Sequence, residues 1–197
     1  MQIEESGLKF IFPDDAKVIK FDETVFYKKS FNVFPASKGV DFIATTKDSI
    51  SFIEIKNCLG DEGNCRWRIA PDNCKKTTSH TTLDVERRDS LDIEVPQKVA
   101  MTLAALLGAR SFDETREAVK ELKYIQDFIF SKKFMDCTKK KYVILFLEGD
   151  FGGYTRSKKM IMSSLERRMQ TKLRWLDCKI SVVDSNTYNR EIFELHK

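Results

Sequence analysis

Two short stretches, Gly39-Val40-Asp41-Phe42-Ile43-Ala44 and Ser51-Phe52-Ile53-Glu54-Ile55-Lys56, decide how the chain is read. Each has the β-branched and aromatic content of a strand, and each carries charge where a buried strand ordinarily has none. Side chains alternate along a strand, so Glu54 and Lys56 share one face while Ile53 and Ile55 share the other. Thr46, Lys47, Asp48 and Ser49 supply a polar turn, and a hairpin closed by it brings Asp41 alongside Glu54 and Lys56. Two carboxylates and an ammonium then meet on one apolar hairpin. Desolvating such acids is costly unless a divalent cation or partner charges neutralise them.

Outward from the hairpin, the pattern predicts an α/β chain. Leu8 to Phe12 and Lys17 to Phe21 read as short strands separated by the Pro13-Asp14-Asp15 turn, and Asp22 to Ser30 fits either a short helix or a strand. Gly60 to Ser90 is a polar insertion without periodicity. Val95 to Leu107 is predicted as a helix with Pro96 in its first turn and Gly108 at its end. Ser111-Phe-Asp-Glu114 matches a capping box, opening a second helix that runs to about Ser131. Lys141 to Glu148 reads as a buried strand. A helix over Ser157 to Trp175 then leads to a final strand, Lys179 to Val183, as a βαβ unit.

The 197 residues fit one domain, with a core over about 8–148, the insertion at about 60–90 and a basic portion over about 131–197. From Ser131 to Trp175 twelve Lys or Arg face four acids, a charge of +8 within a chain whose net charge is +4. Such asymmetry suits a polyanionic partner, although solvated helix faces account for it equally well. The longest apolar run, Tyr142 to Leu147, is far short of the roughly 20 residues that cross a bilayer. The N-terminus has neither a basic start nor an apolar stretch, so the expectation is a cytoplasmic protein with no membrane partner. Five scattered cysteines fit reduced thiols.

Asp41 followed thirteen residues later by Glu54-Ile55-Lys56 resembles the core motif of the PD-(D/E)XK nuclease superfamily. The wider run is similar to uncharacterised bacterial members of it: the acids Asp22-Glu23, Phe26-Tyr27, the strand Lys38 to Ala44, and a helix carrying Gln97-Lys98-Val99. The resemblance covers about Asp22 to Leu107. It implies a restriction-endonuclease-like mixed central sheet flanked by helices, here with a C-terminal βαβ extension. It also implies a nuclease dependent on Mg²⁺ or Mn²⁺ that acts on nucleic acid, DNA before RNA. Asp41, Glu54 and the carbonyl of Ile55 would hold the metal, and Lys56 would orient or deprotonate the attacking water. Auxiliary roles would fall to Glu23, with Asp22 an equal candidate, and to Gln97, Lys98 and Lys38 near substrate phosphate. Val40 replaces the motif's Pro, and Gln97 is followed by Met101 instead of the exonuclease branch's Tyr.

Three alternatives stand beside this reading. They are an ordinary surface Glu–Lys pair, a nucleic-acid-binding or regulatory module that keeps the fold without turnover, and an assembly component whose partner protein supplies specificity. A homodimer is left open. Cys58, Cys65, Cys74 and His80 lack the tight Cys-x₂₋₄-Cys spacing of zinc modules. Gly149 to Gly153 lacks the Gly-Lys-Ser/Thr of a P-loop and reads as a turn. With only two histidines and no Gly-x-Ser-x-Gly, serine hydrolase chemistry is disfavoured.

Overall fold

The computed structural model describes residues 1–71, 89–113, 115–131, 134, 139–152 and 156–196. Within them β3 (Lys17–Lys20), β4 (Phe42–Thr45), β5 (Ser49–Asn57), β6 (Lys140–Glu148) and β7 (Lys179–Val183) form a mixed five-stranded sheet in that order. β3, β4 and β5 run antiparallel, whereas β5, β6 and β7 run parallel. A second, antiparallel sheet is made of β1 (Gln2–Glu5), β2 (Leu8–Ile11) and β8 (Glu194–His196). The helices are α1 (Glu62–Cys65), α2 (Leu91–Ala109), α3 (Glu117–Lys120), α4 (Lys123–Ile129) and α5 (Lys158–Lys172).

Alternation along β5 sorts the core into two layers. Ile50 and Phe52 join Val95, Val99 and Leu106 of α2 and Leu165 and Met169 of α5 in one apolar cluster. Ile53 and Ile55 join Phe10, Phe12, Phe42, Phe146 and Phe193 in another, which fastens the three-stranded sheet to the opposite face. The expectation of a sheet flanked by helices therefore holds on one face only. Among the described residues the other face is covered by strands, because Phe10 and Phe193 supply rings that meet Phe42 and Phe146 edge to face. The unit β6–α5–β7 forms as expected, but it continues the same sheet through β6 instead of extending beyond it.

Three local expectations are corrected. α2 begins at Leu91, so Pro96 lies inside it. Ser90 precedes the helix with its carbonyl accepting from Ile93 and Glu94, and Lys172 of α5 neutralises the buried Asp92 of the first turn at 2.9 Å. Pro96 removes one second-turn hydrogen bond, to the Asp92 carbonyl, which the packing of Val95 and Val99 outweighs. The helix from Ser111 to Ser131 is two short ones: Ser111 Oγ donates back to the Gly108 carbonyl, and Asp113 accepts from both Thr115 N and Oγ1, drawing the chain out of helical geometry. Glu114 of the expected capping box lies outside the described residues. The insertion begins with α1 and a 3₁₀ turn over Arg66–Ile69, while Cys74 and His80 lie outside the described residues.

Phe10 is fully buried and meets three rings, Phe42, Phe146 and Phe193. Phe10→Ala should therefore cost about 3–5 kcal/mol in urea unfolding. A loss under about 1 kcal/mol would show that the second sheet is a loosely held appendage.

Candidate active site

Asp41 precedes β4 and lies opposite Glu54 of β5, one step beyond the pair Phe42–Ile53. Its Oδ2 accepts from the Ile55 N–H at 2.7 Å, continuing the ladder with a side chain where the strand pairing stops. A residue's N–H and C=O leave a strand on the same edge, so the Ile55 carbonyl also faces the Asp41 side. The Asp41 carbonyl in turn accepts from Phe21 N at 3.0 Å, which fixes the 3₁₀ turn Phe21–Glu23 and sets Asp22 beside Asp41.

Glu54 is wholly buried. Its Oε1 accepts from Lys56 Nζ at 2.6 Å and from Lys98 Nζ of α2 at 2.6 Å, and Lys98 also lies 3.5 Å from Asp41 Oδ1. Lys56 reaches Glu94 at 3.5 Å, and Arg68 approaches the other Glu94 oxygen at 4.0 Å. Asp41, Glu54 and Lys56 thus come together as the hairpin predicts, and Lys98 enters the same cluster directly.

The auxiliary residues divide. Gln97 and Lys38 stand beside the cluster and bond to each other at 2.7 Å, with Lys38 also paired to Asp89 at 3.1 Å; neither bonds to Asp41 or Glu54. Glu23 is not part of the site: it pairs with Lys20, its side chain half exposed. The second acid at this end is Asp22, whose neighbours include Asp41 and Lys98. The one-residue difference follows from the 3₁₀ turn, which aims Asp22 inward and Glu23 out. Glu94 and Arg68 were missed by the sequence reading. Glu94 had a usable signal, since it lies four residues before Lys98 and so on the same helix face.

Burial and the charge of Asp41 push Glu54 up to about 7, against the pull of Lys56 and Lys98. Burial and Asp41 likewise raise Asp22 to about 6, with Lys98 opposing. For Lys56 and Lys98 burial acts to lower the pKa, but Glu54 foremost, with Asp41 and Glu94, raises both above the usual lysine value. In this arrangement both lysines donate hydrogen bonds to Glu54.

Two carboxylate oxygens here, Asp22 Oδ1 and Glu54 Oε2, are buried without a hydrogen-bond partner. A buried acceptor left unpaired costs about 1–3 kcal/mol. Among the described residues no three His, Cys, Asp or Glu side chains form a ready metal cage. At this site the Lys98 ammonium stands between Asp41 and Glu54.

The model of a family of unknown function, DUF6661, matches residues 24–197. The chain belongs to the DUF6661 family. No curated protein and no solved structure matches it. The part shared with DUF6661 takes in Asp41, Glu54, Lys56, Glu94 and Lys98 and begins just after Asp22 and Glu23.

The basic portion is less free than its charge suggests. Lys139, Lys141, Lys158 and Lys172 are paired with Asp48, Asp177, Asp184 and Asp92 respectively. Arg156, Lys159, Arg167 and Arg174 are exposed, while Lys132 and Lys133 lie outside the described residues. Among the described residues no helix is long and apolar enough to cross a membrane.

The raised Glu54 pKa has a definite sign. The folded state holds this proton more tightly than the unfolded chain, so the group's stabilising contribution is full below its ordinary 4.5 and fades as pH rises towards about 7. Glu54→Gln removes that dependence. In the metal-free protein its unfolding free energy relative to the parent should rise by roughly 3 kcal/mol between about pH 4.5 and pH 7.5. A pH-independent difference in urea titrations would mean that Glu54 is not the group being desolvated.

Proposed function

We propose that this chain is a divalent-metal-dependent phosphodiesterase that cleaves nucleic acid, DNA before RNA. On this reading the site is of the PD-(D/E)XK type, on a sheet of the restriction-endonuclease-like kind. The observation that carries it is the gathering of Asp41, Glu54 and Lys56 into one buried cluster with Asp22, in which two carboxylate oxygens lack partners. Hard cations take carboxylate and carbonyl oxygens, and this donor set fits Mg²⁺ or Mn²⁺. Asp41 and Glu54, with the Ile55 carbonyl, would hold the ion, and Asp22, a neighbour of Asp41, would add negative charge. When bound, it supplies Lewis-acid stabilisation of the phosphoryl oxygens and a more acidic water.

The chain's own residues do the rest. Lys56, kept as an ammonium by Glu54, Glu94 and Asp41, offsets charge that grows on the scissile phosphate and donates a hydrogen bond to orient the nucleophile. Lys98 neutralises Asp41 and Glu54, and its flexible stem would let it turn to a substrate phosphate. A groove of about 240 Å³ is lined by Arg66, Ile69, Phe151 and Arg156, and Arg68, on the same 3₁₀ turn as Arg66 and Ile69, approaches Glu94. Its arginines suit nonspecific phosphate contacts.

A second reading, a nucleic-acid-binding module without turnover, is favoured by Lys98 itself, which already neutralises both acids. Incubating supercoiled, linear and single-stranded DNA and RNA with Mg²⁺ or Mn²⁺ separates the two. The nuclease reading expects cleavage by the parent, lost on the order of a hundred-fold or more in Asp41→Ala and Lys56→Ala. Binding without cleavage, or cleavage that survives both substitutions, rejects it. Mn²⁺ should also raise the melting temperature of the parent but not of Asp41→Asn/Glu54→Gln, by preferential binding to the folded state.

A further inference from the structure

Between Thr24 and Gly39 the chain holds four aromatic rings, three lysines and no acid. The segment opens with a π-helical turn over Tyr27–Phe31, a conformation that is rare and frequent at functional sites. Ala36 then adopts φ 58°, a left-handed conformation uncommon outside glycine. Ser37 N donates to the Phe34 carbonyl, Phe34 N to the Phe31 carbonyl, and Ser37 Oγ to Asn32 Oδ1, so the loop is braced by its own hydrogen bonds.

The rings form a ladder from core to surface. Phe21, fully buried, meets Tyr27 at 5.6 Å; Tyr27 meets Phe31 at 5.9 Å; Phe31 stacks on Phe34 at 6.3 Å with the planes 23° apart. Phe34 ends the ladder 58% exposed, next to Val33 at 77%. The base of the ladder is fixed to the site. Gly39 packs so closely that an added Cβ would lie 2.9 Å from both Phe21 and Tyr27, and Lys38 is bonded to Gln97, the neighbour of Lys98.

We infer that Phe34 is a stacking platform for an unpaired base, and that the substrate is nucleic acid with a single-stranded segment. The inference rests on the nuclease reading for its setting and refines the substrate class. A duplex presents base faces only at its ends, whereas a single strand offers each of its bases for continued stacking. Lys28 and Lys29, both exposed, supply positive charge for the backbone. That charge disfavours a protein partner, since lysine is depleted from protein–protein interfaces and one ring with one valine is a small anchor.

The test is binding in EDTA, where cleavage plays no part. Fluorescence anisotropy compares a labelled oligothymidylate with a duplex of equal length, using the parent, Phe34→Ala and Phe34→Trp; circular dichroism checks that the variants fold. Phe34→Ala should weaken single-strand binding about ten-fold or more and leave duplex binding unchanged. Phe34→Trp should retain affinity, with its added indole emission quenched by the oligonucleotide and not by the duplex. Unchanged single-strand affinity in Phe34→Ala overturns the platform, even if the parent cleaves duplex and the nuclease reading stands. The expected binding pattern from a parent that never cleaves with Mg²⁺ or Mn²⁺ keeps the platform and rejects the nuclease. A parent that binds no nucleic acid overturns the platform. So does Phe34→Ala breaking up a dimer of the parent without affecting nucleic-acid binding, which assigns the ring to a second copy of this chain.

Discussion

A carboxylate with no solvent contact is costly to ionise unless other charges offset the loss of water, and Glu54 is such a group. Lys56, on its own strand, and Lys98, from the helix laid across the sheet, both reach the same oxygen, leaving the other unpartnered. The position of α2 over β5 is therefore tied to the site's electrostatics as well as to the apolar contacts of Val95 and Val99. Removing one partner of a buried ion pair typically costs more than the pair contributes, so the cluster constrains both fold and chemistry.

From that constraint the surrounding pieces follow. Asp41 substitutes a side-chain acceptor for the missing ladder partner of Ile55, and its carbonyl anchors the turn that carries Asp22. Burial, and then the charge of Asp41, raises the pKa of Glu54 and Asp22, while Glu54, Asp41 and Glu94 raise those of Lys56 and Lys98 against the effect of burial. A site built so is short of positive charge at two oxygens while already holding two ammonium groups.

Behind the site, the five-stranded sheet has different neighbours on its two faces. Helices cover the face of Glu54 and Lys56, where the charges are. The three-stranded sheet covers the other with phenylalanines, so the reverse of the hairpin is apolar and buried.

Period-two alternation in the hairpin determined that Glu54 and Lys56 share a face and that Asp41 joins them, because side-chain direction along a strand is a local property. Met162, Leu165 and Met169 of α5 and Leu173 just after it recur three or four residues apart, a local helical pattern legible in the sequence, and each is buried. What sequence could not decide were contacts between distant elements. Lys172 meets Asp92 in the first turn of α2 from another helix. The choice of Asp22 over Glu23 depends on a turn held by the Asp41 carbonyl, and β1 and β8 exist as strands because β2 lies between them. Pairing and ion contacts across long separations are set by the packed chain as a whole, so only the tertiary structure made those choices.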